Sequence, residues 1–158
     1  MANETKNIKA IIFDWEGTLF DPKTKKEFPD AEEVFKHCHF RGYRLAVASL
    51  VLVRTNAAIE ERALQIETSP LGKFFEMAVV TDKDKDAILN EIVEKLQLPR
   101  SQILIVDDRT IRGVKYGNQH GHPTAWFQNG EFANELPDSS TGLPTFTIHA
   151  LSELMQIV

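Results

Sequence analysis

The chain has 158 residues, 42% hydrophobic and 26% charged, a globular balance that fits one domain with a sizeable core. Its net charge of −5 and pI near 5.5 leave no chain-wide basic footprint for nucleic acid or an anionic membrane surface. Cys38 is the only cysteine, so no disulfide forms within the chain, which fits a reducing, cytoplasmic setting; the polar start Met1 to Asn7 and the short apolar run after it predict neither signal peptide nor membrane span.

The apolar run Ile8 to Phe13 predicts a buried strand that delivers Asp14-Trp15-Glu16-Gly17-Thr18-Leu19 into a turn. Phe20 to Pro29 reads as a polar flap broken by Asp21-Pro22 and Phe28-Pro29. Asp30 with Glu33 predicts a capping box for a helix from Ala31 to Phe40. Tyr43 to Ala48 is a second strand ending at Ser49, followed by a helix from about Arg54 to Ile66 with Ala57, Ala58, Ala63 and Leu64 available for its inner face. A break at Ser69-Pro70-Leu71-Gly72 precedes a strand at Met77 to Val80.

Lys85 opens a helix from Asp84 to Leu98 whose Ile88, Leu89, Ile92, Val93 and Leu96 form one apolar stripe, stopped by Pro99. Ile103 to Val106 then runs into Asp107-Asp108, and about ten helical residues lead to His120-Gly121. A strand at Thr124 to Phe127, a turn at Asn129-Gly130, a strand at Thr145 to Ile148 and a helix from Ala150 to Ile157 complete the alternation. Alternating strands and helices predict an α/β fold with a central parallel sheet and helices on both faces, in which Asp14, Ser49 and Asp107 share the carboxyl edge. The whole chain, 1–158, reads as a single domain without repeats or linkers.

A carboxylate beside other carboxylates at such an edge suits covalent phosphoryl chemistry. Asp14 can attack phosphorus, splitting one displacement into two steps. The acids around it would repel a phosphate dianion, so a divalent cation is required. Oxygen ligands of this kind suit Mg²⁺. No G-x-G-x-x-G follows the first strand and no Walker loop occurs, which disfavours dinucleotide and nucleotide-cradling loops.

Asp14 to Leu19 resembles the D-x-D-G-T-[LV] signature of the haloacid dehalogenase (HAD) superfamily. Ser49, Lys85 and Asp107-Asp108 match that superfamily's later elements in order, so the likeness covers nearly the whole chain. Receiver domains carry similar residues in another order. The resemblance implies a Rossmann-like three-layer fold and a Mg²⁺-dependent phosphatase with Asp14 as nucleophile. The ion would be held by Asp14, the Glu16 main chain, Asp107 and Asp108; Ser49 and Lys85 would hold the phosphoryl oxygens.

The chain departs from the pattern at Glu16, where the family has the Asp that protonates the leaving group and activates water. It therefore reads as a phosphatase with a re-fitted acid, a slow phosphatase, or a HAD-fold binding module. Neither inter-motif stretch leaves room for a cap, and the magnesium-dependent phosphatase group is the nearest likeness, its post-strand turn resembling Phe127-Gln128-Asn129-Gly130. That likeness implies a phosphorylated substrate, either phosphoprotein or a small phosphate ester. Lys83 competes with Lys85 for the phosphate-binding role. Arg109 and Arg112 read as a solvated helix face, Trp15 and Trp126 as packing, and His37-Cys38-His39 and His120-Gly121-His122 as structural rather than metal-binding, since i and i+2 residues leave a helix on different faces.

Overall fold

In the computed structural model, which describes residues 7–158, the chain begins with β1 (Ala10–Phe13) and a hairpin of β2 (Phe20–Asp21) and β3 (Lys26–Glu27). There follow α1 (Ala31–Phe40), β4 (Arg44–Leu50), α2 (Asn56–Thr68), β5 (Met77–Thr81) and α3 (Lys85–Leu96). β6 (Ile103–Asp107), α4 (Lys115–His120), β7 (Thr124–Phe127) and β8 (Phe146–Ile148) complete the fold. The polar start Met1 to Lys6 lies outside the described residues. Among them, no helix is long and apolar enough to cross a membrane.

Six strands form one parallel sheet in the order β5-β4-β1-β6-β7-β8. β1 is central and buried throughout, because a strand's alternate residues serve opposite faces and both faces are covered. Ile11 and Phe13 join the α1 side with Val34, Phe35 and Cys38; Ala10 and Ile12 join the α3 side with Ile88, Leu89, Ile92 and Leu96. The result is the three-layer Rossmann-like arrangement expected. From β1 the chain builds outward through β4 and β5, then returns to the other side of β1 for β6, which puts the topological switch between β1 and β6. Between β4 and α3 lie only α2, a short 3₁₀ turn and β5, so no cap-sized insertion interrupts the sheet.

Four local expectations are corrected. Asp30 makes no capping box: its backbone is helical rather than extended, and its carboxylate instead accepts from the Ser152 N–H at 2.8 Å, tying α1 to the chain end. α2 turns Ala58, Ile59, Arg62, Gln65 and Ile66 inward, so of the expected inner face only Ala58 lies on that side while Ala57, Ala63 and Leu64 are exposed; the polar contacts of Arg62 and Gln65 share in setting this rotation. The segment after Asp108 opens with a π-helical turn, Thr110–Val114, before α4. The last helix is 3₁₀, Leu151–Gln156, anchored by buried Leu151 and Leu154.

Candidate active site

Asp14 follows β1 directly, and its backbone N–H still donates to Val106 of β6, so the carboxylate emerges between the two strands at the switch point. Lys85, at the start of α3, is only 5% exposed; its ammonium donates to Asp14 Oδ1 at 2.6 Å and to the Ala48 carbonyl at 2.7 Å, with Asp107 Oδ2 at 3.9 Å. Lys83 is exposed, so the lysine that reaches Asp14 is Lys85. Asp84 caps α3 by accepting from the Asp86 N–H, which fixes the first turn from which Lys85 projects.

Asp107 ends β6 and each of its oxygens accepts one backbone hydrogen bond, Oδ1 from Arg109 N–H at 3.0 Å and Oδ2 from Gly113 N–H at 2.9 Å. Room for this exists because Gly113 lacks a side chain, since a Cβ there would lie 2.5 Å from Asp107 Cβ. The widened π turn is the geometry that brings the Gly113 N–H to Asp107. Asp108 is held from the other side, with its N–H donating to Thr18 Oγ1 at 3.1 Å and its carbonyl accepting from Trp126 Nε1 at 3.0 Å. Gly17 has φ +85°, and a Cβ on it would meet Asp108 Oδ2 at 2.3 Å, so the Gly17-Thr18 turn needs its glycine both for conformation and for clearance.

Asp14, Asp107 and Asp108 each offer a carboxylate oxygen, all within 4.8 Å of one another. Burial, and after it the charge of Asp14, pushes the carboxyls of both Asp107 and Asp108 above the usual carboxylate range. Lys85 reaches Asp14 and Asp107 but its single charge cannot balance all three acids, so the cluster would gain from a divalent cation. Its donors are all hard oxygens, which fits Mg²⁺. Thr18 Oγ1, 3.3 Å from Asp14 Oδ2 and 3.4 Å from Asp108 Oδ1, links the two acids that such an ion would join.

Ser49 stands near the end of β4, buried, and its Oγ accepts from Arg62 Nη1 of α2 at 2.8 Å. The other terminal nitrogen of Arg62 lies 3.5 Å from Glu16 Oε2. Glu16 is thus directed toward α2, its side chain 52% exposed, and it is outside the carboxylate trio. Thr18, Gly113 and Arg62 were not singled out in the sequence. Thr18 lies within the first motif, Gly113 follows the acidic pair at short range, and Arg62 carries no sequence signal because its partners are 46 and 13 positions away.

A cavity of about 560 Å³ opens in front of Asp14. Phe28 and Pro22 of the flap, Leu50, Leu52 and Phe132 give it apolar walls, and Lys23, Arg109 and Arg112 also line it. Arg109 and Arg112 are therefore not simply a solvated helix face. Arg109 is fixed, its Nε donating to Glu135 Oε2 at 3.0 Å and its guanidinium lying 3.7 Å over the Phe132 ring. Away from the site, His37 Nε2 pairs with the Val158 carbonyl, Cys38 is buried in the core, and His120 pairs with the Tyr116 carbonyl. Trp15 and Trp126 pack in the core and donate their indole N–H to Gln65 and the Asp108 carbonyl.

Comparison with known structures returns this same fold. An L-2-haloacid dehalogenase, RSc1362, superposes with a TM-score of 0.77 at 14% identity, covering 95% of this chain and 98% of that one. A protein described as a predicted phosphoglycolate phosphatase from Haemophilus somnus gives 0.73 at 12% identity over 96% and 98%. YfnB of Bacillus subtilis, a magnesium-bound protein of HAD-hydrolase type, gives 0.75 at 13% identity over 96% and 98%. No curated protein matches the chain in sequence. The family model for haloacid dehalogenase-like hydrolases matches residues 1–127, which carry Asp14, Ser49, Lys85, Asp107 and Asp108. With its parallel sheet and carboxyl-edge acids, the chain belongs to the haloacid dehalogenase-like hydrolases.

Proposed function

We propose that the chain is a Mg²⁺-dependent phosphatase that hydrolyses a phosphate monoester through an aspartyl-phosphate on Asp14. The observation that carries this reading is the trio of Asp14, Asp107 and Asp108 around one point. A haloacid's reacting carbon is not itself an anion, and displacing halide from it gives no reason to gather three carboxylates. A phosphate dianion can approach them only with a cation between, which is the arrangement the trio favours.

Asp14, Asp107, Asp108 and the Glu16 main chain would hold Mg²⁺, which when bound supplies charge neutralisation for the phosphoryl oxygens. Lys85 holds Asp14 in place and puts a positive charge beside the incoming phosphoryl group. An Asp14 oxygen then bonds to phosphorus as the phosphorus–leaving-group bond breaks, and the leaving oxygen takes its proton from Glu16. In the second step water attacks the aspartyl-phosphate, its proton passes to Glu16, and Asp14 and phosphate are released. Ser49 donates its hydroxyl to a non-transferring oxygen.

The cavity favours a small phosphate ester over a phosphoprotein loop, since about 560 Å³ of partly apolar space suits a compact leaving group without a closing lid. A Mg²⁺-dependent screen of sugar phosphates, nucleotides and phosphotyrosine peptides tests the reading. Turnover should appear with Mg²⁺ and vanish on chelation. Asp14→Asn should abolish both turnover and any phosphoenzyme seen by quenched intact-mass measurement; an Asp14→Asn enzyme that still turns over would overturn the mechanism. A catalytically weak binding module would bind ester without releasing phosphate.

A further inference from the structure

We infer that Arg62 is a positioning residue of the proposed phosphoryl transfer, aiming the Ser49 hydroxyl proton at the phosphoryl group and holding the Glu16 carboxylate in range of it. This rests on the phosphatase reading. A serine hydroxyl has one proton and two acceptor lone pairs. The Arg62 Nη1–H occupies a lone pair at 2.8 Å, so the Ser49 proton is left to point elsewhere, and the neighbouring cation makes it a better donor to an anion. Ser49 is buried, so this proton has little access to bulk water.

The second nitrogen of the same guanidinium reaches Glu16 at 3.5 Å, which gives a reason for glutamate where aspartate is usual. The additional methylene extends the carboxylate toward α2. Ile66 is the one buried residue of α2, and beside the half-buried Ala58 and Ile59 its inward groups are Arg62 and Gln65, the latter accepting from Trp15 Nε1 at 2.8 Å. Arg62 reaches Glu16 and Gln65 holds Trp15 next to it in the chain, so α2 meets the motif turn with polar groups. A planar guanidinium presents two nitrogens in a fixed fork, which an ammonium cannot reproduce. The Arg62 side chain is 15% exposed, so the fork is held in place rather than waving in solvent.

The test uses the full chain with Mg²⁺ and p-nitrophenyl phosphate, together with orthophosphate affinity measured by calorimetry. Arg62→Ala and Arg62→Lys should each lower kcat by about 10²-fold, the scale of one lost transition-state donor, with KM changing only a few-fold. Melting temperatures should fall by only a few degrees, the cost of a lost partner for the buried Ser49 hydroxyl, leaving the protein folded at the assay temperature, and orthophosphate should bind more weakly. In a Ser49→Ala/Glu16→Gln background the additional loss from Arg62→Ala should nearly disappear, because both groups it positions are gone. An Arg62→Lys variant with parental kcat, or an undiminished Arg62→Ala penalty in that background, would overturn the inference. A parent that binds orthophosphate but hydrolyses no ester would instead remove the phosphatase reading, and the affinity of Arg62→Ala would then decide the Ser49 contact alone.

Discussion

Lys85 concentrates the residue-scale consequences, because one buried ammonium meets Asp14, Asp107 and the Ala48 carbonyl. Lys85→Ala should lower kcat by about 10²–10³-fold, the range for a lost preorganised donor. Lys83→Ala should stay near the parent, and steady-state kinetics of the pair would show the reverse if the lysines were exchanged. His122 supplies a second prediction far from the chemistry. Its Nδ1 pairs with the Ile103 carbonyl at 3.1 Å, its Nε2 is buried without a partner, and burial pulls its pKa down from 6.5 to about 4. The folded state therefore keeps the ring neutral while the unfolded chain takes up a proton below pH 6.5. Stability is complete above pH 6.5 and falls as pH drops toward 4, by roughly 3 kcal/mol in all. In His122→Asn, whose amide can still donate to the carbonyl, denaturant midpoints should decline less across that window than the parent's.

At the scale of elements, the π turn Thr110–Val114 is the piece that joins sheet to site. Ordinary helix geometry is given up there so that Asp107, at the end of β6, can accept two backbone N–H groups. Gly113→Ala would place a methyl 2.5 Å from Asp107 Cβ, where backbone rather than a flexible tip must move. It should destabilise the protein by about 1–3 kcal/mol, as overpacking does. Mg²⁺ affinity should fall with it, whereas Gly121→Ala, at a φ of +81° with no atom near its Cβ, should cost stability and leave Mg²⁺ affinity unchanged. Calorimetric titration with Mg²⁺ separates the two. α2 shows the same trade in another form, accepting a mostly exposed surface in order to bring Arg62 to Ser49 and Glu16.

For the molecule as a whole, the acidic cluster sets stability against function. Folding buries Asp107 and Asp108 beside Asp14 against burial's preference for the neutral form, a cost that a bound cation would offset. Mg²⁺ at about 100 times its Kd should stabilise the native state by about 2.7 kcal/mol, a Tm increase of about 5–10 °C for a chain of this size. Asp108→Asn should remove the increase while leaving the metal-free Tm no lower than the parent's. A full Mg²⁺ shift in that variant, read by thermal unfolding with and without chelator, would place the ion elsewhere.

The alternation of apolar runs and helical stripes was enough to read the parallel three-layer sheet, since period 2 and period 3.6 are local properties. So was the gathering of Asp14, Asp107 and Asp108 at one edge, because Asp14 and Asp108 follow their strands, Asp107 ends its own, and parallel strands share a carboxyl edge. Rotation of α2 was not legible: its apolar residues divide between two faces, Ala58, Ile59 and Ile66 inward and Ala57, Ala63 and Leu64 outward, and Arg62 faces inward to partners distant in the chain. The Asp30 capping box failed for a similar reason, its carboxylate being taken by Ser152, 122 positions on. The π turn, the clearance at Gly17 and Gly113, the selection of Lys85 over Lys83 and the walls of the cavity were likewise decided only by tertiary structure. Each depends on the distance between atoms that the chain brings together from separate elements, which neither periodicity nor motif spacing encodes.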